Sequence, residues 1–203
     1  METVKEKLEP GKTLQLGMTS VIVQHEVTNY DKWVTIFKAQ AERREKASIK
    51  ELYILRGEAN PNLLNVVLRL DNIADAKAFF DDPQTSQVMR EAGVTSKPSF
   101  TYFKVTDSGS SANPAYLVIQ HKVGEYNKWK EAFDQHESVR STYDIHLVAV
   151  GKDLDDPSNV VAIFNSRQSS NFTDFLEKSN LKEVMHDAGV MSEPVVSTFN
   201  KVS

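Results

Sequence analysis

The 203-residue chain contains no cysteine. That removes disulfides, thiolate metal sites and a cysteine nucleophile together, and it suits a reducing compartment. Positive charge is not in excess: 24 Lys and Arg stand against 28 Asp and Glu, a net charge of −4. Without a basic footprint, nucleic acid is not an expected partner. No apolar stretch approaches the roughly 20 residues that a membrane helix needs, so no membrane partner is expected. The start, METVKEKLEPGKTLQLG, lacks the basic opening, apolar run and small-residue cleavage site of a secretory signal. The expected location is therefore cytoplasmic. Gly-x-Gly-x-x-Gly, Walker-type and Gly-x-Ser-x-Gly motifs are absent, which disfavours dinucleotide, nucleotide and serine-hydrolase chemistry. No His-x-x-x-His or other tight ligand spacing occurs, so neither a metal site nor a cofactor is expected.

What the sequence does contain is itself, twice. VIVQHEVTNYDKW (Val21 to Trp33) returns as LVIQHKVGEYNKW (Leu117 to Trp129). His121 minus His25, Trp129 minus Trp33, Phe133 minus Phe37 and Arg140 minus Arg44 all equal 96. In the middle, matching Gly57 with Gly151 and the NVV at Asn65 with the NVV at Asn159 gives 94, which implies a hairpin shortened by two residues in the second copy. The 96 offset returns by Phe79 and Phe175 and holds through MREAGVTSKP against MHDAGVMSEP. A repeat of this length is a small domain, since solenoid repeats run to about 20 to 50 residues. The expected division is an N-terminal arm (1–17), a first half (18–105), a Ser, Gly, Asn and Pro-rich linker TDSGSSANP (106–114), and a second half (115–203).

Each copy follows one pattern. Val21 to Val27 alternates with the period of two that marks a strand. Thr28 and Asn29 can cap a following helix, on which Trp33, Phe37, Ala41 and Arg44 share a face at steps of 4, 4 and 3. ELYILR and NVVLRL flank GEANPNLL as a hairpin. A second helical region carries Ile73, Ala76, Phe79 and Phe80, breaks at Asp82-Pro83, resumes through Met89 and Ala92, and ends at Gly93. Pro83 at a first helical position makes Asp82 a cap rather than half of a carboxylate pair. SFTYFKV closes a β-α-β-β-α-β unit.

Such a unit has helices on one sheet face only, and its strands offer apolar side chains to both. The bare face would associate unless covered. Two copies in one chain cover each other around a pseudo-twofold axis, and this pseudo-dimer leaves room for further homo-oligomerisation. QHxVxxYxKWxxxF, the arginine seven residues after that Phe, NVV and AGVxSxP resemble the dimeric α/β-barrel superfamily, and within it the antibiotic-biosynthesis-monooxygenase-like or cyclase-like group. The resemblance spans nearly the whole chain apart from residues 1–19 and the linker. It implies an α+β fold of two tandem ferredoxin-like units packed sheet to sheet as an intramolecular α/β barrel, with the ligand site between the sheets. It does not fix a chemistry.

His25 and His121 sit mid-strand among apolar neighbours. As site residues they would be general bases, hydrogen-bonding groups or an axial ligand; as structural residues they would bond a backbone carbonyl or the helical arginine. Trp33, Phe37, Trp129 and Phe133 read first as core. Arg44 and Arg140 either pair with an acid or reach a ligand carboxylate. Tyr53 and Tyr102 have no tyrosine counterparts in the second copy, and His136, His146 and His186 have no histidine counterparts in the first. These differences would make the two ends of a shared chamber unequal.

The expectation is a pocket for a small apolar or aromatic molecule, with His25 and His121 as the catalytic pair and Tyr53, Tyr102, Arg44, Arg140 and His146 as ligand-binding residues. It would support cofactor-independent oxygenation, cyclisation or isomerisation. The alternative is a non-catalytic binding or scaffold module with a filled barrel. A third reading is haem binding through one histidine.

Overall fold

The alternation at Val21 resolves into β1 (Thr19–Glu26) in the computed structural model, which describes residues 13–202. Asn29 then turns the chain, its side chain accepting from Lys32 N at 2.8 Å, and starts α1 (Tyr30–Ala39). One continuous helix is expected here, but the chain breaks at Gln40 and resumes as α2 (Ala41–Lys46). Gln40 N tightens onto the Phe37 carbonyl at 3.1 Å, and the Arg44 guanidinium donates to that same oxygen at 2.5 Å. The arginine thereby satisfies a helix-end carbonyl. The hairpin follows as β2 (Ile49–Gly57) and β3 (Leu63–Leu70). Next come α3 (Ile73–Asp81) and α4 (Pro83–Glu91). Asp82 caps α4 through Gln84 N at 2.8 Å, as the Asp-Pro pair predicts. Gly93 leaves α4 at φ +85°, and a Cβ there would lie 2.5 Å from Thr28 Oγ1. β4 (Ser99–Ser108) closes the first set.

The second set repeats it: β5 (Ala115–Lys122), α5 (Tyr126–Gln135), α6 (Glu137–Thr142), β6 (His146–Asp153), β7 (Asn159–Ser166), α7 (Ser170–Lys178), α8 (Leu181–Asp187) and β8 (Val195–Lys201). The helix break recurs at His136, and Arg140 donates to the Phe133 carbonyl at 2.6 Å.

The strands close into one barrel in the order β1-β3-β2-β8-β5-β7-β6-β4, every neighbouring pair antiparallel. The two four-stranded sheets therefore do more than face each other. Their edges bond, β2 to β8 and β4 to β6. β4 continues through Ser108, pairing Asp107 with Val150 and Ser108 with Ala149, so the first three residues of the expected linker belong to a strand.

Register corrects the reading of the middle. His25 faces Leu64 and His121 faces Val160; Ile54 faces Val66 and Val150 faces Ala162. The 96 offset thus runs unbroken through the hairpin, and no two-residue deletion exists. The two NVV triplets occupy different rungs: Asn65 is matched by Val161, and Gly151 by Leu55.

Three cores result. One draws on both halves, including Ile22, Tyr53, Val67, Phe103, Tyr116, Val118, Ile163 and Phe199, and fills the barrel interior. Leu14, from the expected arm, is 1% exposed within it, its N–H donating to Tyr53 Oη at 3.0 Å. The other two cores each belong to one half, between the outer face of the strands and the helices. Residues 1–12, the greater part of the expected arm, lie outside the described residues.

Candidate functional site

Successive side chains of β1 point to opposite faces. Ile22 goes to the barrel interior, while Val21 and Val23 go to the helix side, and His25 follows them. His25 and His121 are therefore not partners across a central chamber. Each belongs to its own half, beneath its own helices. This corrects the expected placement: the interior between the sheets is occupied by side chains, and the histidines face outward.

Each histidine begins the same aromatic stack. His25 lies 5.5 Å from Trp33, Trp33 stacks on Phe37 at 4.8 Å, and the Arg44 guanidinium sits 3.7 Å from the Phe37 centroid. In the second half His121, Trp129, Phe133 and Arg140 repeat it at 5.5, 5.0 and 4.1 Å. Helical spacing puts the tryptophan, phenylalanine and arginine on one face, and the strand supplies the imidazole beneath them.

A cavity of about 70 Å³ opens beside the first stack, bounded by His25, Trp33, Phe37, Arg44, Phe80 and Met89 among others. A smaller one, about 40 Å³, opens beside the second, with His121, Trp129, His136, Arg140 and Met185 in its wall. Met89 and Met185 are 96 apart and occupy the same place in each.

Both histidines are 4% exposed, and neither has a hydrogen-bond partner on either ring nitrogen among the described residues. Of the six buried side-chain polar atoms without a partner among the described residues, these two rings supply four. The bond to a backbone carbonyl or to the arginine, expected of a structural histidine, is not made. Burial alone lowers both imidazoles to about 4, so each is neutral near pH 7.

The remaining expected site residues are dispersed. Arg44 lines the first cavity, with Glu51 Oε2 at 3.9 Å; Arg140 lines the second. Tyr53 points into the barrel interior, 5.8 Å from Tyr116, on the opposite side of the sheet from His25. Burial raises its phenol. Tyr102 shares the helix side but stacks on Phe100 at 6.2 Å beneath Lys77, outside the cavity wall. Its phenol is pushed up to about 12, chiefly by burial. His146 bonds Asp144 at 3.0 Å near the surface and touches neither cavity. Tyr53, Tyr102 and His146 thus do not join His25 or His121. His136, which replaces Gln40, does line the second cavity and bonds Asn180 at 3.0 Å. Met89, Met185 and the Glu51–Leu147 exchange were not singled out from sequence, although the 96 offset, carried without the slip, aligns all of them.

No protein-family model matches the chain, and no curated protein does. Solved structures do match. An anthrone oxidase-like protein is similar over 92% of each chain at 12% identity and a TM-score of 0.63. A chlorite dismutase from Candidatus Nitrospira defluvii is similar over 92% of each chain, at 12% identity and TM-score 0.60. A haem-binding protein from Thermus thermophilus covers 93% of this chain with 92% of its own, at 12% identity and TM-score 0.57. At such identities the likeness is one of fold. Two β-α-β-β-α-β units, eight antiparallel strands closed into a ring and helices on the outside together give this chain the fold of a tandem dimeric α/β barrel.

Proposed function

We propose that the chain binds a small aromatic or apolar molecule bearing one hydrogen-bonding oxygen, in the cavity between the strands and helices of the first half. The observation that carries this is His25, a neutral imidazole with both nitrogens unbonded at the wall of an apolar cavity. An unbonded buried polar group costs about 1–3 kcal/mol, and a ligand hydroxyl or carbonyl would recover much of it. Trp33, Phe37 and Phe80 supply the aromatic walls. An apolar cavity of roughly 150 Å³ holds benzene. Met89, an unbranched and adaptable side chain in the cavity wall, is the group that must move aside for a ring of that size to enter.

A second reading follows from the same nitrogens. An unbonded imidazole in an apolar cavity takes a proton from a phenol or an acidic C–H when the anion formed stays beside it, because that ion pair raises an imidazole that burial by itself holds at about 4. Cyclisation, isomerisation and cofactor-independent oxygenation of phenols can all begin with that step. Haem, which the Thermus neighbour binds, does not fit. Trp33 packs against the imidazole at 5.5 Å, and about 70 Å³ is far below the roughly 300 Å³ at which ordinary ligand pockets begin.

The test uses phenol and toluene, which match in ring size and differ in the hydroxyl. Titration followed by NMR of the histidine ring nitrogens should show phenol binding about tenfold more tightly than toluene and shifting His25. His25→Leu should erase that preference. Equal affinities, or a preference that survives His25→Leu, would overturn the reading. For proton transfer, deuterium uptake at the α-carbon of 2-tetralone in heavy water should be lost in His25→Gln while ketone binding persists.

A further inference from the structure

The two cavities share a plan but not an electrostatic character. In the first, Arg44 has Glu51 at 3.9 Å and lies over Phe37. The position 96 residues after Glu51 is Leu147, and Leu147 faces Phe164 in β7 as Glu51 faces Leu68 in β3. Arg140 therefore lacks the acid that Arg44 has. It is 5% exposed, bonds only the Phe133 carbonyl among the described residues, and lies over Phe133 and Phe164. No carboxylate of the described residues comes within ion-pair distance of it. Of the acids nearest to it, Asp107 and Asp134 are held by Lys130 at 3.0 and 2.5 Å, and Glu137 lies on its own helix.

A guanidinium this buried, with Glu137, Asp134 and Asp107 acting on it through space but no acid in contact among the described residues, is an unusual expense for a fold. In the same wall stands His121, 4% exposed and unbonded at both nitrogens. We infer that the second cavity, about 40 Å³ at rest and widened by displacement of Met185, is a separate site for a small apolar carboxylate, its ring against Trp129 and Phe133, its charge on Arg140 and one oxygen within reach of His121. A guanidinium presents paired N–H groups in the geometry that a carboxylate accepts. The first cavity, its arginine already accompanied by Glu51, favours a neutral ligand. Carboxylate binding in the second cavity does not require that the first be used.

The full chain is titrated with benzoate and read by NMR at the histidine rings and by calorimetry. Benzoate should bind at one site and shift His121 rather than His25. Leu147→Glu, which copies the first half, should weaken benzoate at least fivefold without changing the fold. Glu51→Leu, its mirror image, should create a second benzoate site that shifts His25. If Leu147→Glu does not fold, Arg140→Lys should retain more benzoate affinity than Arg140→Gln. No saturable binding, a shift at His25 instead of His121, a loss below fivefold in folded Leu147→Glu, or equal losses in Lys and Gln each overturn the inference. Failure of phenol at His25 would sink the preceding proposal and leave this one standing.

Discussion

The two unbonded imidazoles make the fold sensitive to mild acid. In the unfolded chain each histidine takes up a proton near its ordinary value of 6.5; in the folded chain burial holds it at about 4. Because the folded value is the lower one, the unfolded state binds protons first as pH falls. Stability is then lost between pH 6.5 and 4. Each histidine should contribute about 2 kcal/mol of loss between pH 7 and pH 5, hence roughly 4 kcal/mol for the pair. The carboxylates held low by partners, Asp144 by Arg167 and Asp156 by Lys122, work lower down: their contribution is present above their ordinary value near 3.8 and disappears as pH falls below it. Urea unfolding at pH 7 and pH 5, on the parent and on His25→Leu with His121→Leu, isolates the effect. The double variant should be more stable at pH 7 by about 1–3 kcal/mol per site, since an apolar side chain replaces an unbonded polar one. Its stability should also change little between the two pH values. An acid response as steep as the parent's, or NMR titration of either ring near 6.5, would refute the reasoning.

Two further changes probe the scaffold. Tyr53→Phe removes the acceptor of the Leu14 N–H at 3.0 Å and should cost about 1 kcal/mol in urea unfolding. It should also speed amide exchange at Leu14 while leaving phenol and benzoate binding unchanged. Gly151→Ala places a methyl 2.4 Å from Phe103 Cδ2 and 3.0 Å from the Lys104 carbonyl. It should lower stability by about 1–3 kcal/mol, and a melting temperature within a degree of the parent would contradict the barrel packing described.

The sequence carried the architecture well because its signals are local and repeated. The 96-residue offset, the Asp82-Pro83 cap and the Gly93 helix end each follow from a few residues with one steric or hydrogen-bonding solution. The reading failed where short identity was weighed against register. NVV is a common strand string, and pairing it with itself invented a deletion that strand pairing rules out. Placement of His25 failed for a different reason. Both faces of β1 are buried, one by helices and one by the barrel, so alternation separates Ile22 from His25 without saying which side is which. The helical stripe held the missing clue: Trp33, Phe37 and Arg44 must meet the face covered by helices, and His25 meets Trp33 there. The unbonded nitrogens and the lone Arg140 depend on three-dimensional neighbours from several elements, and no sequence spacing encodes them.

Ring closure also has a consequence for how such a chain can change. A half on its own would end in two raw borders, the outer sides of β2 and β4 in one case and of β6 and β8 in the other, each a template for adventitious pairing. Sewing those borders to each other ties the integrity of both halves to a backbone seam rather than to the chemistry of either helical layer. Substitutions beneath one set of helices can then accumulate without unpicking the other, and one gene can come to hold two differently furnished rooms under a common roof.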